Sequence, residues 1–185
     1  MPNYRRRRNP GGIVFLTVVT CARRPLFRFA PARKLLRESF AAVCRAHPWT
    51  TEAIVLMPDH WHALWRLPPE DSDYSLRVSR VKKTFTDAWL AAGGTERQAP
   101  PAQRGSRRRG VWQVKFWEHT IRDAADFKRH LDYIHLNPVK HGLAKRPRDW
   151  AWSSFRRWVE LGEYELDWLG PTGLSRNVKR YWYDE

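Results

Sequence analysis

The chain is 185 residues long and carries 34 Lys and Arg against 19 Asp and Glu, a formal net charge of +15. That excess goes beyond what solubility needs and points to a polyanionic partner, and the 11 tryptophans among the cations suit stacking on unpaired bases as well as packing in a core. No run approaches the roughly 18–20 apolar residues of a membrane span, and Cys21 and Cys44 are too few for a cysteine zinc site or a disulfide framework, so a soluble, cytoplasmic and nucleoid-associated protein is expected.

A single domain over 1–185 is expected, with no composition break that demands two. It opens on a basic arm, 1–12, MPNYRRRRNPGG. Ile13 to Thr20 is β-branched and aromatic and reads as a first strand rather than a signal peptide. Ala32 to Arg45 reads as a helix, with Leu35 or Leu36, Phe40 and Val43 at helical spacing and Pro48 past its end. Ala53 to Met57 is a second strand, broken by Pro58-Asp59 before a third at His60 to Leu67. Ser75 to Ala92 has Leu76, Val78, Val81, Phe85, Ala88 and Trp89 at helical spacing, with Arg77, Arg80, Lys82 and Lys83 on the other face. Residues 93–110, GGTERQAPPAQRGSRRRG, read as a mobile Arg-rich loop. Val111 to Phe116 reads as a short strand, and Asp123 caps a helix that runs to about Leu136. A Trp-rich extension, 143–185, is expected to wrap the core. Short links and a hairpin around Pro58-Asp59 favour an α+β sandwich over an all-parallel sheet.

Within MPDHWHALW, His60 and His62 stand at i and i+2 of the third strand, so they share one face and both can reach one divalent ion. Trp61, Ala63, Trp65 and Leu67 fall on the opposite face and anchor the strand. In the later helix, Phe127, Leu131 and Ile134 form the core stripe, whereas Tyr133 lies off it, on an arc with Asp126, Arg129, His130 and Asn137. Asn137 is one turn beyond Tyr133, so its amide can approach the tyrosine hydroxyl. As the residue before Pro138, it is equally suited to cap a following turn. The combination fits phosphodiester chemistry. A divalent ion polarises the phosphate and aligns it, and attack by a tyrosine conserves the bond energy as a phosphotyrosine, so strand joining needs no nucleotide cofactor.

His60-Trp61-His62 preceded by VLMPD, Tyr133 within YIHLNPVKHGL, VWQVKFWEHTIRD at Val111 to Asp123, and WAWSSFRRWVELGEY at Trp150 to Tyr164 together resemble the single-tyrosine HUH transposases, and specifically the REP-associated tyrosine transposase family. The likeness runs from Ile13 to about Gly170. It implies an HUH endonuclease-type, ferredoxin-like antiparallel sheet packed with helices. It also implies His60 and His62 as metal ligands, Asn137 in the third ligand position, and Tyr133 as nucleophile. The implied cofactor is Mg²⁺ or Mn²⁺, and the implied substrate is single-stranded or hairpin DNA of the REP palindrome type, cut and rejoined through a covalent 5′-phosphotyrosine by a monomer or dimer. Asn137 stands where better-known insertion-sequence relatives carry glutamine, and the Arg-rich loop has no counterpart. Arg5, Arg6, Arg7, Arg8, Arg80, Lys83, Arg107, Arg108 and Arg122 are the expected DNA contacts. The main rival is an inactive hairpin or single-strand DNA-binding protein derived from the same fold. A plasmid relaxase or replication initiator is disfavoured by length, and a metal-free RNA-processing enzyme is a distant third.

Overall fold

The computed structural model describes residues 9–97 and 110–170. Strand β1 (Ile13–Val19) leads through two 3-10 turns to helix α1 (Ala30–Ala46); β2 (Thr50–Leu56) and β3 (His60–Arg66) form a hairpin, followed by α2 (Tyr74–Ala91), β4 (Trp117–Thr120), α3 (Ala124–Lys140) and a short α4 (Phe155–Glu160). The four strands make one sheet in the order β2-β3-β1-β4, and each neighbouring pair is antiparallel. This is the α+β arrangement expected, with β1-α1-β2 and β3-α2-β4 as two interleaved halves.

Strand alternation sends β3 in two chemical directions. Trp61, Ala63 and Trp65 are fully buried with Val14, Leu16 and Val18 of β1 against Leu36 and Val43 of α1 and Val78, Val81 and Phe85 of α2. Leu64 and Phe15 face the other way and pack with Leu131 and Ile134 of α3 and Phe155 of α4. Most of the tryptophan burial is core packing: Trp49, Trp61, Trp65 and Trp112 are buried, with Trp49 and Trp65 rings 4.4 Å apart.

Within the described residues, 150–158 run along the sheet edge. They close the outer edge of β2: Ser153 bridges Val55, the Ser154 N–H donates to Ile54 O, and the indoles of Trp150 and Trp158 donate to Leu56 O and Glu52 O.

Three expectations change. Val111 to Phe116 is not a strand. Val111 and Trp112 plunge into the helix-side core, Trp112 makes only an isolated bridge to Thr20, and the Lys82 ammonium holds Gln113 O and Val114 O. The fourth strand is the next four residues. Arg77 does not sit on a solvent face. It is 2% exposed, donating to Pro48 O, Asp73 O and the Asp71 carboxylate, so three acceptors replace the water it loses. Asn137 caps no following turn, because α3 continues past it through Pro138 to Lys140. Asp123 does cap α3, its carboxylate accepting from the Asp126 N–H.

Candidate active site

The corner before β3 is pinned by backbone bonds. Thr20 N–H donates to Asp59 O, Phe27 N–H to Pro58 O, and Met57 N–H to His60 O. His60 and His62 therefore enter the α3 side of the sheet from a fixed start, 2% and 0% exposed. His60 Nδ1 lies 2.6 Å from the Asp59 carboxylate, which Arg23 also engages at 3.3 Å. A carboxylate only accepts, so Nδ1 carries the hydrogen and His60 Nε2 presents its lone pair. Burial pushes the Asp59 carboxyl up, but His60 and Arg23 more than offset that and hold it below the ordinary carboxylate range.

His62 is paired across the ladder with Thr17, whose hydroxyl lies 2.8 Å from Nδ1. A hydroxyl can donate or accept, so Thr17 permits either tautomer of His62. The two Nε2 atoms face each other at 3.1 Å. Either His62 Nε2–H donates to His60, or both lone pairs point at a shared cation. Two nitrogens each about 2.1 Å from one ion stand roughly 3.0–3.4 Å apart for ligand angles between octahedral and tetrahedral, so the observed spacing fits a common ion. Burial, then the charges of His60, His141, Lys140 and Arg23, lower the His62 pKa well below its usual value, keeping the imidazole in the neutral, ligand-competent form at neutral pH.

Helix α3 covers the pair. The Tyr133 ring lies 5.1 Å from His62, and the His141 ring 6.0 Å from His60. Asn137 is one turn from each. It is fully buried, and neither its Oδ1 nor its Nδ2 has a hydrogen-bond partner. An orphaned buried amide costs about 1–3 kcal/mol, which a ligand role for its oxygen would offset in part. The donor set of two neutral imidazoles and an amide oxygen suits a divalent ion. Lys140 Nζ sits 5.2 Å over the Tyr133 ring.

Residues 13–137 match the family model described as "Transposase IS200 like". The chain is 39% identical over 175 residues to a Haemophilus influenzae protein named for the REP-associated tyrosine transposases, covering 95% of this chain and 97% of that one. It is 38% identical over 170 residues to the REP-associated tyrosine transposase of Escherichia coli, covering 92% of each. A solved structure of a REP-associated tyrosine transposase bound to a REP hairpin superposes with a TM-score of 0.77 at 37% identity, over 92% of this chain and 93% of that one. The chain belongs to the REP-associated tyrosine transposase family. Its members are DNA-processing enzymes by name, and the α+β architecture of a four-stranded antiparallel sheet with helices matches the hairpin-bound neighbour.

This family member has a second polar cluster on the same sheet face. His119, Asp126 and His130 bring one ligand atom each within 4.8 Å of one another. The Asp126 carboxylate, 1% exposed, accepts from His119 Nε2 at 2.8 Å, from Arg122 N and Nε at 3.1 Å and from Arg129 at 3.0 Å. His130 Nδ1 donates to Asp126 O. Burial opposes ionisation of Asp126, yet these donors hold its carboxyl far below the ordinary range. The carboxylate is already saturated by two guanidinium groups and an imidazole, and both arginines repel an added cation.

Of the other expected contacts, Arg122 lies in this cluster on the Tyr133 side of the sheet. Arg80 and Lys83 are exposed on α2, across the sheet from the histidines, with Lys83 paired to Asp87. Arg5, Arg6, Arg7, Arg8, Arg107 and Arg108 lie outside the described residues. Sequence reasoning passed over Asp59, Thr17, Lys140 and His141. Asp59 was signalled by its place directly before the first histidine and His141 by its turn spacing from Asn137, whereas Thr17 is found only through strand register. No helix among the described residues is long and apolar enough to cross a membrane.

Proposed function

We propose that the chain cuts and rejoins single-stranded DNA at REP-type hairpins, with Tyr133 as nucleophile and His60, His62 and Asn137 holding Mg²⁺ or Mn²⁺. The observation that carries the reading is the pair of Nε2 atoms facing each other at 3.1 Å with the Tyr133 ring against His62. The hairpin in the 37% identical neighbour supports the substrate class. A divalent ion held by the three residues supplies Lewis-acid polarisation of the scissile phosphate.

The Tyr133 oxygen forms a bond to phosphorus as the bond from phosphorus to the 3′ oxygen breaks. The tyrosine loses its proton, and the departing oxygen gains one to become a free 3′-hydroxyl. The 5′ side remains as a phosphotyrosine, and the reverse attack by a 3′-hydroxyl rejoins the strand. Asp59 and Thr17 orient the imidazoles for this work. Lys140 stabilises negative charge developing near the ring. His60 and His62 are buried, with the Tyr133 and His141 rings against them. Arg122 is proposed as a phosphate contact near the site. Arg80 and Lys83 can reach only a duplex stem that bends around to the α2 layer.

Incubating the protein with labelled hairpin DNA and Mg²⁺ or Mn²⁺, then separating products under denaturing conditions, tests the reading. A metal-dependent shift of label onto the protein is expected. Tight hairpin binding with neither cleavage nor adduct under any divalent ion would make the chain a binding protein instead.

A further inference from the structure

We infer that Trp117 is a stacking platform for an unpaired base flanking the phosphate that Tyr133 attacks, an inference that rests on the single-strand DNA reading above. The strand register sets out one row of side chains across the α3 face. Val55 of β2 lies opposite His62 of β3, His62 opposite Thr17 of β1, and Thr17 opposite Trp117 of β4. Directly opposed residues of antiparallel strands project on the same side. The first three members are closed off, with Val55 and His62 fully buried and Thr17 3% exposed. Trp117, on the outermost strand, remains 44% exposed. Two inter-strand steps of about 4.8 Å separate it from the His62 backbone, roughly 10 Å, the reach of a nucleotide next to the one being cut.

The ring is held in place before any ligand arrives. Phe15 meets it edge-on at 5.5 Å, and the same Phe15 ring touches His62 and Tyr133, so platform and nucleophile share one support. The His119 ring lies within 7° of parallel to it and is itself stacked on His130 at 4.6 Å and 15°. His119 is tied to Asp126, and Asp126 in turn to Arg122 and Arg129. The second histidine cluster thereby acquires a purpose: it fixes the plane of an exposed indole, and the Asp126 carboxylate that ties His119 down also holds two guanidinium groups whose side chains are 58% and 53% exposed. An aromatic face beside cations is the arrangement that receives a base and its phosphate, and it tolerates any base because each has a π-face. Among the described residues the other exposed tryptophan, Trp152, is 42% exposed but carries Arg33 at 4.3 Å over its ring and belongs to the strap along β2, away from this row.

The test uses a short DNA hairpin with an unpaired flank, 2-aminopurine replacing one flank base at a time, and the same hairpin without the flank. The parent protein is expected to quench the probe at one flank position, and Trp117→Ala to abolish that quenching. Affinity for the flanked hairpin should fall roughly 5- to 150-fold in Trp117→Ala, the equivalent of about 1–3 kcal/mol of stacking, while affinity for the blunt hairpin stays unchanged. Trp117→Phe should keep most of the quenching and Trp117→Leu none, a comparison that decides the matter should the alanine variant fold poorly. Unchanged quenching and affinity in the alanine and leucine variants overturn the inference, as does an equal loss on the blunt hairpin. A parent protein that binds neither DNA overturns the single-strand reading itself and the platform with it.

Discussion

The two histidine clusters sit on one face of one sheet, on either side of the Phe15 ring, which contacts His62 at 5.5 Å and His130 at 4.8 Å. Each places a pair of imidazoles near a carboxylate, yet they are built to opposite ends. At His60 and His62 the carboxylate stands behind the ring, on Nδ1, and what faces inward is a pair of Nε2 atoms with only each other at 3.1 Å and an amide with no partner. At His119 and His130 the carboxylate is in the middle and every oxygen is taken. The difference teaches that ligand-type residues within reach of each other do not make a metal centre. What matters is which lone pairs the protein leaves unsatisfied, and an unsatisfied buried group is stable only if something else completes it.

The strongest way to break this comparison is to remove each pair. His60→Ala with His62→Ala should abolish both calorimetric Mn²⁺ binding and DNA cleavage, whereas His119→Ala with His130→Ala should leave Mn²⁺ binding intact. Loss of Mn²⁺ binding in the second variant alone would exchange the roles assigned to the two clusters.

The two carboxylates sharpen it further. Asp126→Asn removes the charge and one of the two acceptor oxygens that organise two arginines and His119, and should cost about 2–3 kcal/mol of stability in denaturant unfolding with Mn²⁺ affinity little changed. Asp59→Asn should show the reverse, a small stability change with a roughly 10–100-fold loss of metal affinity. A similar profile in both variants would mean that the two sites do not differ in kind.

How much of this was legible in the sequence depends on whether a residue's role is set by its own strand or helix or by a distant partner. The alternation of HWHALWR fixed which side chains of β3 face the histidine site and which the tryptophan core, and the spacing of Leu131 and Ile134 fixed the buried stripe of α3. Asn137 suited a turn cap as well as a ligand role in the sequence because Pro138 follows it, and the course of α3 removes the first alternative. In the folded chain Pro138 falls in the last turn of α3 and is itself buried, so packing on both sides sustains a helix that propensity alone would end. Trp117 to Thr120 is too short to show alternation and becomes a strand only through β1. Arg77 read as a surface cation because its acceptors come from Pro48, Asp71 and Asp73, and periodicity cannot show a tertiary partner.

The smallest effect concerns the far side of α3, where His135 is fully buried with Nε2 against Ser154 Oγ at 3.0 Å. Burial first, and then the charges of Lys128 and Arg157, push its pKa down to about 3. The unfolded chain takes up the proton near pH 6.5 while the folded chain does not, so stability is full above that value and declines as pH falls toward about 3. This residue's share of the decline is at most about 1.4 kcal/mol per pH unit. His135→Gln should flatten the stability profile between pH 6.5 and 4 by that amount without altering cleavage at neutral pH. An unchanged slope would show that the other buried histidines, His62 and His130, carry the acid sensitivity.

The central claim is that Tyr133 is the atom donor to phosphorus, and Tyr133→Phe addresses it most directly, since one oxygen is removed while the ring contacts with His62 and Phe15 are kept. With labelled hairpin DNA and Mn²⁺, the parent should form a covalent adduct that peptide mass spectrometry maps to Tyr133, leaving a free 3′-hydroxyl on the released strand. The phenylalanine variant should bind the hairpin and Mn²⁺ as the parent does and yield neither adduct nor cleavage. Cleavage by Tyr133→Phe at a rate near the parent's, or an adduct on another residue, would contradict the account.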